Sequence, residues 1–370
     1  MDDRTTEAAL SLTKFGIGQP VRRSEDPKLV RGEGCYTDDI GRPRQAYAVM
    51  VRSSIAHGII RGIDTAAAIA MPGVLAVYTA ADLNGYGPHK CTMPLKNRDG
   101  SPIRYTPRPA LAADKVRFVG DPVACVIAET LAQAKDAAEA VALDIEPLPV
   151  VLGPAAAVQP GAPLLYDAVP NNLALDYHFG DAEKVAAAFA KAAHVTRLET
   201  SNQRMVVAAM EPRAAIGEFD AGSGKWTLHS SRQGVMGMKA ALMDILGALA
   251  DKVRVLTCNV GGSFGMKAGV YPEYVCILHG ARMLRRPVKW TDERSGSFVS
   301  DHHGRAQDML VEIAFDADAH ILALRLTGYG DMGGYLAQFG PLLPTGNVVK
   351  NVVGAYRTPL LELSSKCVFT

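Results

Sequence analysis

The segment VRVLTCNVGGSFGMK, Val253 to Lys267, sets the terms on which the rest of the chain is read. An alternating apolar run (Val253, Val255, Leu256, Val260) breaks into Gly261-Gly262-Ser263-Phe264-Gly265, and a helical segment follows with Pro272 and Glu273 near its start. Strand, glycine turn, helix is how a chain brings bare backbone N–H groups up to an anionic ligand. Glycine suits such a loop because a Cβ keeps the ligand off the main chain and disfavours positive φ. A tight turn with no ligand fits the same residues. The nucleotide loops fail on spacing. A P-loop needs four residues between its glycines and a Gly-Lys-Ser/Thr ending. Here at most three residues separate Gly261 from Gly265, Met266 stands before Lys267, and Ala268 offers no hydroxyl to magnesium. The Rossmann pattern G-x-G-x-x-G is absent as well.

Working outward, 370 residues with 48% hydrophobic and 21% charged side chains are enough for two or three globular domains with ample core. A net charge of +1, from 39 basic and 38 acidic residues, gives no electrostatic handle for nucleic acid or a membrane surface. No run approaches the roughly 18 apolar residues of a membrane span. The opening MDDRTTEAALSLTKFG lacks the basic-then-apolar order of an export signal, and Arg22-Arg23 is followed by SEDPK rather than an apolar stretch. Six scattered cysteines with no C-x-x-C pair argue for a reducing compartment, and against zinc or an iron–sulfur cluster held by this chain. The expected location is the cytoplasm.

In chain order, residues 1–30 read as a polar arm whose Arg22, Arg23, Glu25 and Asp26 suit either an interface or a solvated tail. Residues 31–146 read as one α+β unit. AYAVMVRSSIAHGII (46–60) and VLAVYTAADL (74–83) have strand character, with an alanine-rich helix between Ile63 and Met71. The loop from Asn84 to Pro109 is long enough to suggest function. VRFVGDPVACVIAE (116–129) reads as two strand runs broken at Gly120-Asp121-Pro122, and Thr130-Leu131-Ala132-Gln133 is a capping box that starts a helix. Residues 147–163, dense in Pro, Ala and Gly, read as an inter-domain linker. In residues 164–370, Asp181 caps AEKVAAAFAKAA, with Val185, Phe189 and Ala192 on one face. HVTRLETSN, MEPRAAIGEFD and WTLHSSRQG follow as strands, and VMGMKAALMDILGAL as a helix facing inward through Met236, Ala240, Met243 and Leu246 or Gly247. PEYVCILHGARMLRR is helical, PVKWTDE a strand, and residues 311–331 a hairpin turning at Asp316 to His320. The glycine-rich end reads as loop. Helices and strands alternate without strict βαβ order, which gives α+β as the fold class.

Isolated histidines (His57, His89, His178, His194, His229) and the adjacent His302-His303 make no metal site and read as core or solvated groups. Ser230 and Ser231 lack the Gly-x-Ser-x-Gly frame of a nucleophile elbow. Glu211, beside Pro212-Arg213, reads better as a strand-end salt bridge than as a buried acid.

The motifs Gly16-Ile17-Gly18-Gln19-Pro20-Val21-Arg22-Arg23-x-Glu25-Asp26-Pro27, Tyr36-Thr37-Asp38-Asp39, Val119-Gly120-Asp121-Pro122-Val123, Met210-Glu211-Pro212-Arg213, Gln233-Gly234 and Gly261 to Lys267 occur in one order over nearly the whole chain. In that order the chain resembles the N-terminal half of the molybdenum-binding subunits of xanthine dehydrogenase, aldehyde oxidase and aerobic carbon monoxide dehydrogenase. The resemblance implies an a/b hammerhead domain over 31–146 and the first part of a molybdopterin-binding domain over 164–370. It implies that the loop Gly261, Gly262, Ser263, Phe264, Gly265 approaches the molybdenum centre and its pterin. It further implies that Gln233, in a catalytic and cofactor-binding role, hydrogen-bonds an oxygen on molybdenum, with no protein side chain as direct ligand. The chemistry is consistent: an anionic dithiolene–pyrophosphate cofactor wants exposed N–H groups, and a metal-oxo acceptor wants a neutral amide donor.

The implied cofactor is molybdenum–molybdopterin, in its cytosine dinucleotide form, with 2Fe–2S and FAD on partner subunits. The implied reaction is hydroxylation by water of an aldehyde, N-heterocycle or similar small substrate. Purine-type members place a glutamate directly after the loop lysine, and here that position is Ala268, which argues against xanthine. Family subunits run about twice as far, and their base-like glutamate lies in the half beyond. The expectation is therefore a chain inactive alone that acts with a second chain or a C-terminal half. Gly354-Ala355-Tyr356-Arg357 superficially mimics the arginine-bearing loop near molybdenum, but the role is not carried over. The alternatives are a truncated, non-catalytic relic that binds partner subunits, and an unrelated phosphate-binding enzyme built on the glycine loop.

Overall fold

The computed structural model describes residues 23–370, so Gly16–Val21 and Arg22 of the opening motif lie outside the described residues. From the end of that motif, exposed Arg23 pairs with Asp26 at 2.7 Å. The first region contributes β1 (Ala46–Arg52), β2 (Gly58–Asp64), β3 (Val74–Thr79), β4 (Lys115–Val116), β5 (Pro122–Ala128) and β6 (Ala142–Pro147). Helix α1 (Leu131–Glu139) follows β5, and its Thr130–Gln133 capping box is formed in both directions. Each member satisfies an amide at the helix start that would otherwise have no partner.

The second region adds β7 (Leu173–Phe179), β8 (His194–Asn202), β9 (Ala214–Asp220), β10 (Lys225–Ser230), β11 (Val253–Leu256), β12 (Val288–Thr291), β13 (Gln307–Phe315), β14 (Ile321–Gly333) and β15 (Leu361–Phe369). Its long helices are α2 (Ala182–Lys191), α3 (Val235–Leu246) and α4 (Pro272–Leu284). No helix among the described residues is long and apolar enough to cross a membrane.

The two regions share one sheet. A seven-stranded sheet runs β11-β10-β9-β12-β1-β5-β3, and its seam is the parallel pairing of β1 with β12, Ala46 opposite Val288. Every residue of β5, PVACVIA, is buried. Continuous apolar runs of this kind belong to strands covered on both faces. Helix α1 lies against β1 and β5, and α4 against β9, so the central strands are closed off from water. Strands β4-β2-β6 make a small separate sheet, and β7-β15-β14-β13-β8 a third.

Three local expectations differ from the structure. Helix α3 turns Met238, Leu242 and Ile245 inward, whereas Met236 is 72% exposed. The helix is apolar nearly all round, so periodicity alone does not choose the face. The glycine-rich end holds a six-residue helix (Gly346–Asn351) and the nine-residue strand β15, which lies between β7 and β14. Serines and a lysine in LELSSKCVF broke the apolar run there, yet its inward positions Leu363, Cys367 and Phe369 are buried. The loop 84–109, for its part, is tied into the core. Its Cys91 and Ile103 pack in one apolar cluster with Leu165, Leu175 and Phe369. Within residues 147–163, a short helix (Pro154–Ala157) buries Pro154 and Ala157.

Candidate functional site

Strand β11 pairs in parallel with β10 at the edge of the large sheet, and the chain leaves it into the glycine loop. Gly261 is held from both sides by Glu211. Its N–H donates to Glu211 Oε2 at 2.8 Å, and the Glu211 N–H donates to the Gly261 carbonyl at 3.1 Å. A Cβ at Gly261 would sit 2.5 Å from the Glu211 Cβ, so only glycine allows this approach. Lys267, whose side chain is fully buried, donates from Nζ to Glu211 Oε2 and to the Glu211 carbonyl, both at 2.8 Å. Burial lowers its pKa, and the Glu211 carboxylate opposes that shift. The lysine that superficially suggested a P-loop therefore points inward and closes the loop on itself.

Gln233 lies in the short connection from β10 to α3 and meets the loop from the opposite side. Its Oε1 accepts from Ser263 Oγ at 2.7 Å and from the Gly265 N–H at 3.0 Å. Its own backbone N–H donates to the Lys267 carbonyl at 3.3 Å. The Gly265 N–H can only donate, which fixes the orientation of the amide. Gln233 is exposed, and its Nε2 end, with two N–H donors, meets no acceptor among the described residues. Within the loop, Phe264 takes φ +49° and is 81% exposed, and Gly265 takes φ +95° with open space where a Cβ would be. The backbone N–H groups of Gly262, Ser263 and Phe264 meet no acceptor among the described residues.

The setting is cationic. Arg232, buried beneath the connection, donates to the carbonyls of Gly234 (2.6 Å) and Ala268 (2.8 Å) and leaves Nη1 unpartnered. Burial lowers its pKa to about 10, so it keeps its charge at neutral pH. Arg294 donates to the carbonyls of Ala209 and Met210, beside Gly262. Neither arginine forms an ion pair among the described residues.

All six residues singled out from the sequence, Gln233 and Gly261 to Gly265, thus meet in one constellation, with Glu211 as its buckle. Sequence reasoning missed what lies beneath. Arg213 is fully buried, with its guanidinium 3.7 Å from the centre of the Tyr271 ring, and it bonds Glu273 at 3.0 Å, Asp292 at 3.2 Å and Asp301. Arg52 also reaches Glu273, at 2.7 Å. Burial pushes the Glu273 carboxyl up, but Arg213 and Arg52 outweigh it and hold it well below the usual range. For Asp292 and Asp301, burial wins and the pKa values rise. Tyr271 ties this cluster to the loop, donating from its hydroxyl to the Met266 carbonyl at 2.9 Å. These partners lie far apart in sequence. The available signal was the abundance of charge in an apolar neighbourhood around Glu273 and Asp292.

Comparison with known proteins follows the same lines. Residues 31–149 match the a/b hammerhead domain of aldehyde oxidase and xanthine dehydrogenase, and residues 165–370 match the molybdopterin cofactor-binding domain. The chain belongs to this family of molybdopterin-binding large subunits. It is 34% identical over 333 residues to the nicotine 6-hydroxylase large subunit of Paenarthrobacter nicotinovorans, covering 88% of this chain and 39% of that one. It is 33% identical to the carbon monoxide dehydrogenase large chain of Afipia carboxidovorans, covering 96% and 44%. Quinoline 2-oxidoreductase from Pseudomonas putida 86 superposes with a TM-score of 0.88 at 31% identity, over 97% of this chain and 45% of that one. The chain therefore spans less than half the length of these relatives. The nicotinate dehydrogenase large molybdopterin subunit of Eubacterium barkeri, 27% identical, is covered over 79% of its length. The fold is the α+β arrangement of a hammerhead followed by a molybdopterin-binding region.

The residues present fit such a cofactor. Among the described residues, three loop N–H groups without an acceptor, an exposed amide and two guanidinium groups without an ion pair form a donor set suited to an anionic, oxygen-rich ligand.

Proposed function

We propose that this chain supplies the glycine-loop wall of the active site of a molybdenum hydroxylase that oxidises an aldehyde, an N-heterocycle or a similar small substrate. When bound, molybdopterin, in its cytosine dinucleotide form, supplies the two-electron redox chemistry, with water as the source of oxygen. The backbone of Gly261 to Gly265 holds the cofactor's anionic edge through N–H donors. Gln233 serves as a fixed neutral donor whose carbonyl end is spent on Ser263 and Gly265. That anchoring is the single observation on which the reading rests. A donor that is already oriented needs no reorganisation when charge develops on its acceptor.

Relatives named for nicotine, quinoline and carbon monoxide support small, electron-poor substrates over purines, as does Ala268. A second chain, or further polypeptide, supplies the remaining cofactor contacts and the base. The E. barkeri relative, of which this chain covers most, supports a divided subunit. Electrons leave to 2Fe–2S and FAD on partner subunits.

The test is Gln233→Glu in the complex co-purified with its partner subunits. A carboxylate still accepts from Ser263 and Gly265, so the loop stays in place, but both outward donors are lost. Molybdenum content and dye reduction with small aldehydes and N-heterocycles are measured. The expected result is stoichiometric molybdenum in the parent complex and a turnover reduced by about 100-fold or more in the variant. Absence of molybdenum from the parent complex, or unchanged turnover in the variant, would overturn the reading.

A further inference from the structure

We propose that Cys35 and Cys258 form a dithiol site that a hydroperoxide closes to a disulfide, stapling the approach to the glycine loop onto the segment before Thr37. Nothing in the sequence pairs them, since 223 positions separate one from the other. The fold does so through Asn259. The Cys35 N–H donates to Asn259 Oδ1 at 2.9 Å, and the Asn259 N–H donates to the Cys35 carbonyl at 3.0 Å. This two-way clasp through Asn259 brings its chain neighbour Cys258 alongside Cys35, close enough for the Cys35 side chain to raise the Cys258 pKa. Both residues are exposed, whereas Cys91, Cys125, Cys276 and Cys367 are buried. The only two cysteines open to solvent are therefore each other's neighbours.

A second pair supplies an internal control. Cys125 on β5 and Cys276 on α4 are also neighbours, but both are fully buried in the main apolar core. Oxidation of a cysteine follows exposure as well as thiolate character, so proximity without access leaves that pair reduced.

The step balances as follows for hydrogen peroxide. The Cys35 thiolate attacks the O–O bond, giving a sulfenic acid and releasing hydroxide, which takes up the thiol proton as water. Cys258 then attacks the Cys35 sulfur, the S–S bond forms, and a second water leaves. Two thiols lose two electrons and the peroxide gains them. Burial and the neighbouring thiol raise the Cys258 pKa, which suits Cys258 to the second, resolving role. The clasp holds the Cys35 backbone against Asn259, so the two cysteines to be joined stay near each other in the folded chain. The inference does not depend on the cofactor reading, because its readout is thiol chemistry.

The full-length chain, together with any partner it co-purifies with, is treated with hydrogen peroxide and mapped by non-reducing peptide mass spectrometry. The expected product is one peptide linking Cys35 to Cys258, with two of the six thiols lost and both restored by dithiothreitol. Alkylation of the untreated native chain should label Cys35 and Cys258 alone. In Cys35→Ser, checked for an unchanged thermal transition, Cys258 should form no intrachain link. Persistence of both free thiols after peroxide, labelling of Cys125 or Cys276 in the native chain, or a link from Cys258 to any other cysteine would overturn the proposal.

Discussion

Replacing Glu211 by Ala removes the buckle of the glycine loop, and the structure sets the size of the effect. Lys267 Nζ lies 2.8 Å from Glu211 Oε2, with the lysine side chain fully buried and the glutamate 11% exposed. At an effective dielectric constant near 20, two unit charges at that distance attract by roughly 6 kcal/mol. Desolvation offsets much of this in the intact pair, but not in the variant, where a buried ammonium keeps only the Glu211 backbone carbonyl. Removing one partner of a buried pair costs about 3–5 kcal/mol. The Gly261 N–H also loses its acceptor, which adds about 1 kcal/mol. Lys267→Met alone strips the carboxylate of its cation and should be destabilising too. The double replacement should recover at least about 2 kcal/mol of the summed losses, because it leaves no buried charge unpaired. Urea unfolding followed by tryptophan fluorescence reads the relevant region: the two tryptophans, Trp226 on β10 and Trp290 on β12, are both buried in the sheet that carries the loop. Losses that simply add, to within about 0.5 kcal/mol, would refute the claim that this pair acts as a unit.

Asp121, in the Val-Gly-Asp-Pro-Val motif, is buried, and burial raises its pKa to about 6 against the stabilising pull of Arg108 and the Arg117 N–H. The ordinary value is 3.8, so the folded chain binds this proton more tightly than the unfolded chain. Its contribution is present below pH 3.8 and is lost as pH rises through about 6, a difference of about 3 kcal/mol. Asp121→Asn should therefore match the parent near pH 4 and exceed it by up to about 3 kcal/mol near pH 7.5, measured by urea unfolding at both. A pH-independent difference counts against this assignment. On α3, Met238→Ala should cost about 2–5 kcal/mol and Met236→Ala less than about 0.5 kcal/mol, since the first is buried and the second exposed. Equal losses in the same assay would mean that the helix face is wrongly assigned.

Much of the site was legible because glycine and glutamine declare their chemistry locally. Gly261 to Gly265 could be read as a backbone donor loop from strand, turn and helix signals in a single stretch. Gln233 was legible only through its place in an ordered series of motifs, because no local pattern distinguishes it from a strand-end amide. The elements set by short-range rules, such as the Thr130 capping box and the Asp181 cap, formed as read. The misreadings share one cause. Strand β15 is decided by its partners β14 and the distant β7, and the inward face of α3 by an even apolar coat, and neither leaves a periodic trace in its own segment.

The Arg213 cluster shows what this limit means for the site. Each of its carboxylates, taken alone, reads as a surface charge on a helix start or a strand end. Assembly makes them a buried network of two arginines and three acids, cross-braced to the loop through Tyr271 and Met266. Such networks are poor sources of net stability, since desolvation consumes most of the attraction. What this one can supply is a single geometry: Arg213 can satisfy Glu273, Asp292 and Asp301 together only if β9, β12 and α4 hold one register. Lys267 and Glu211 repeat the device, with the Gly261 N–H held on the same carboxylate oxygen as the lysine. The glycine loop is therefore flexible by composition but fixed by the charges beneath it. A loop presenting unclaimed N–H groups to a ligand needs that fixing, because preorganised donors are the ones that stabilise charge at no further cost.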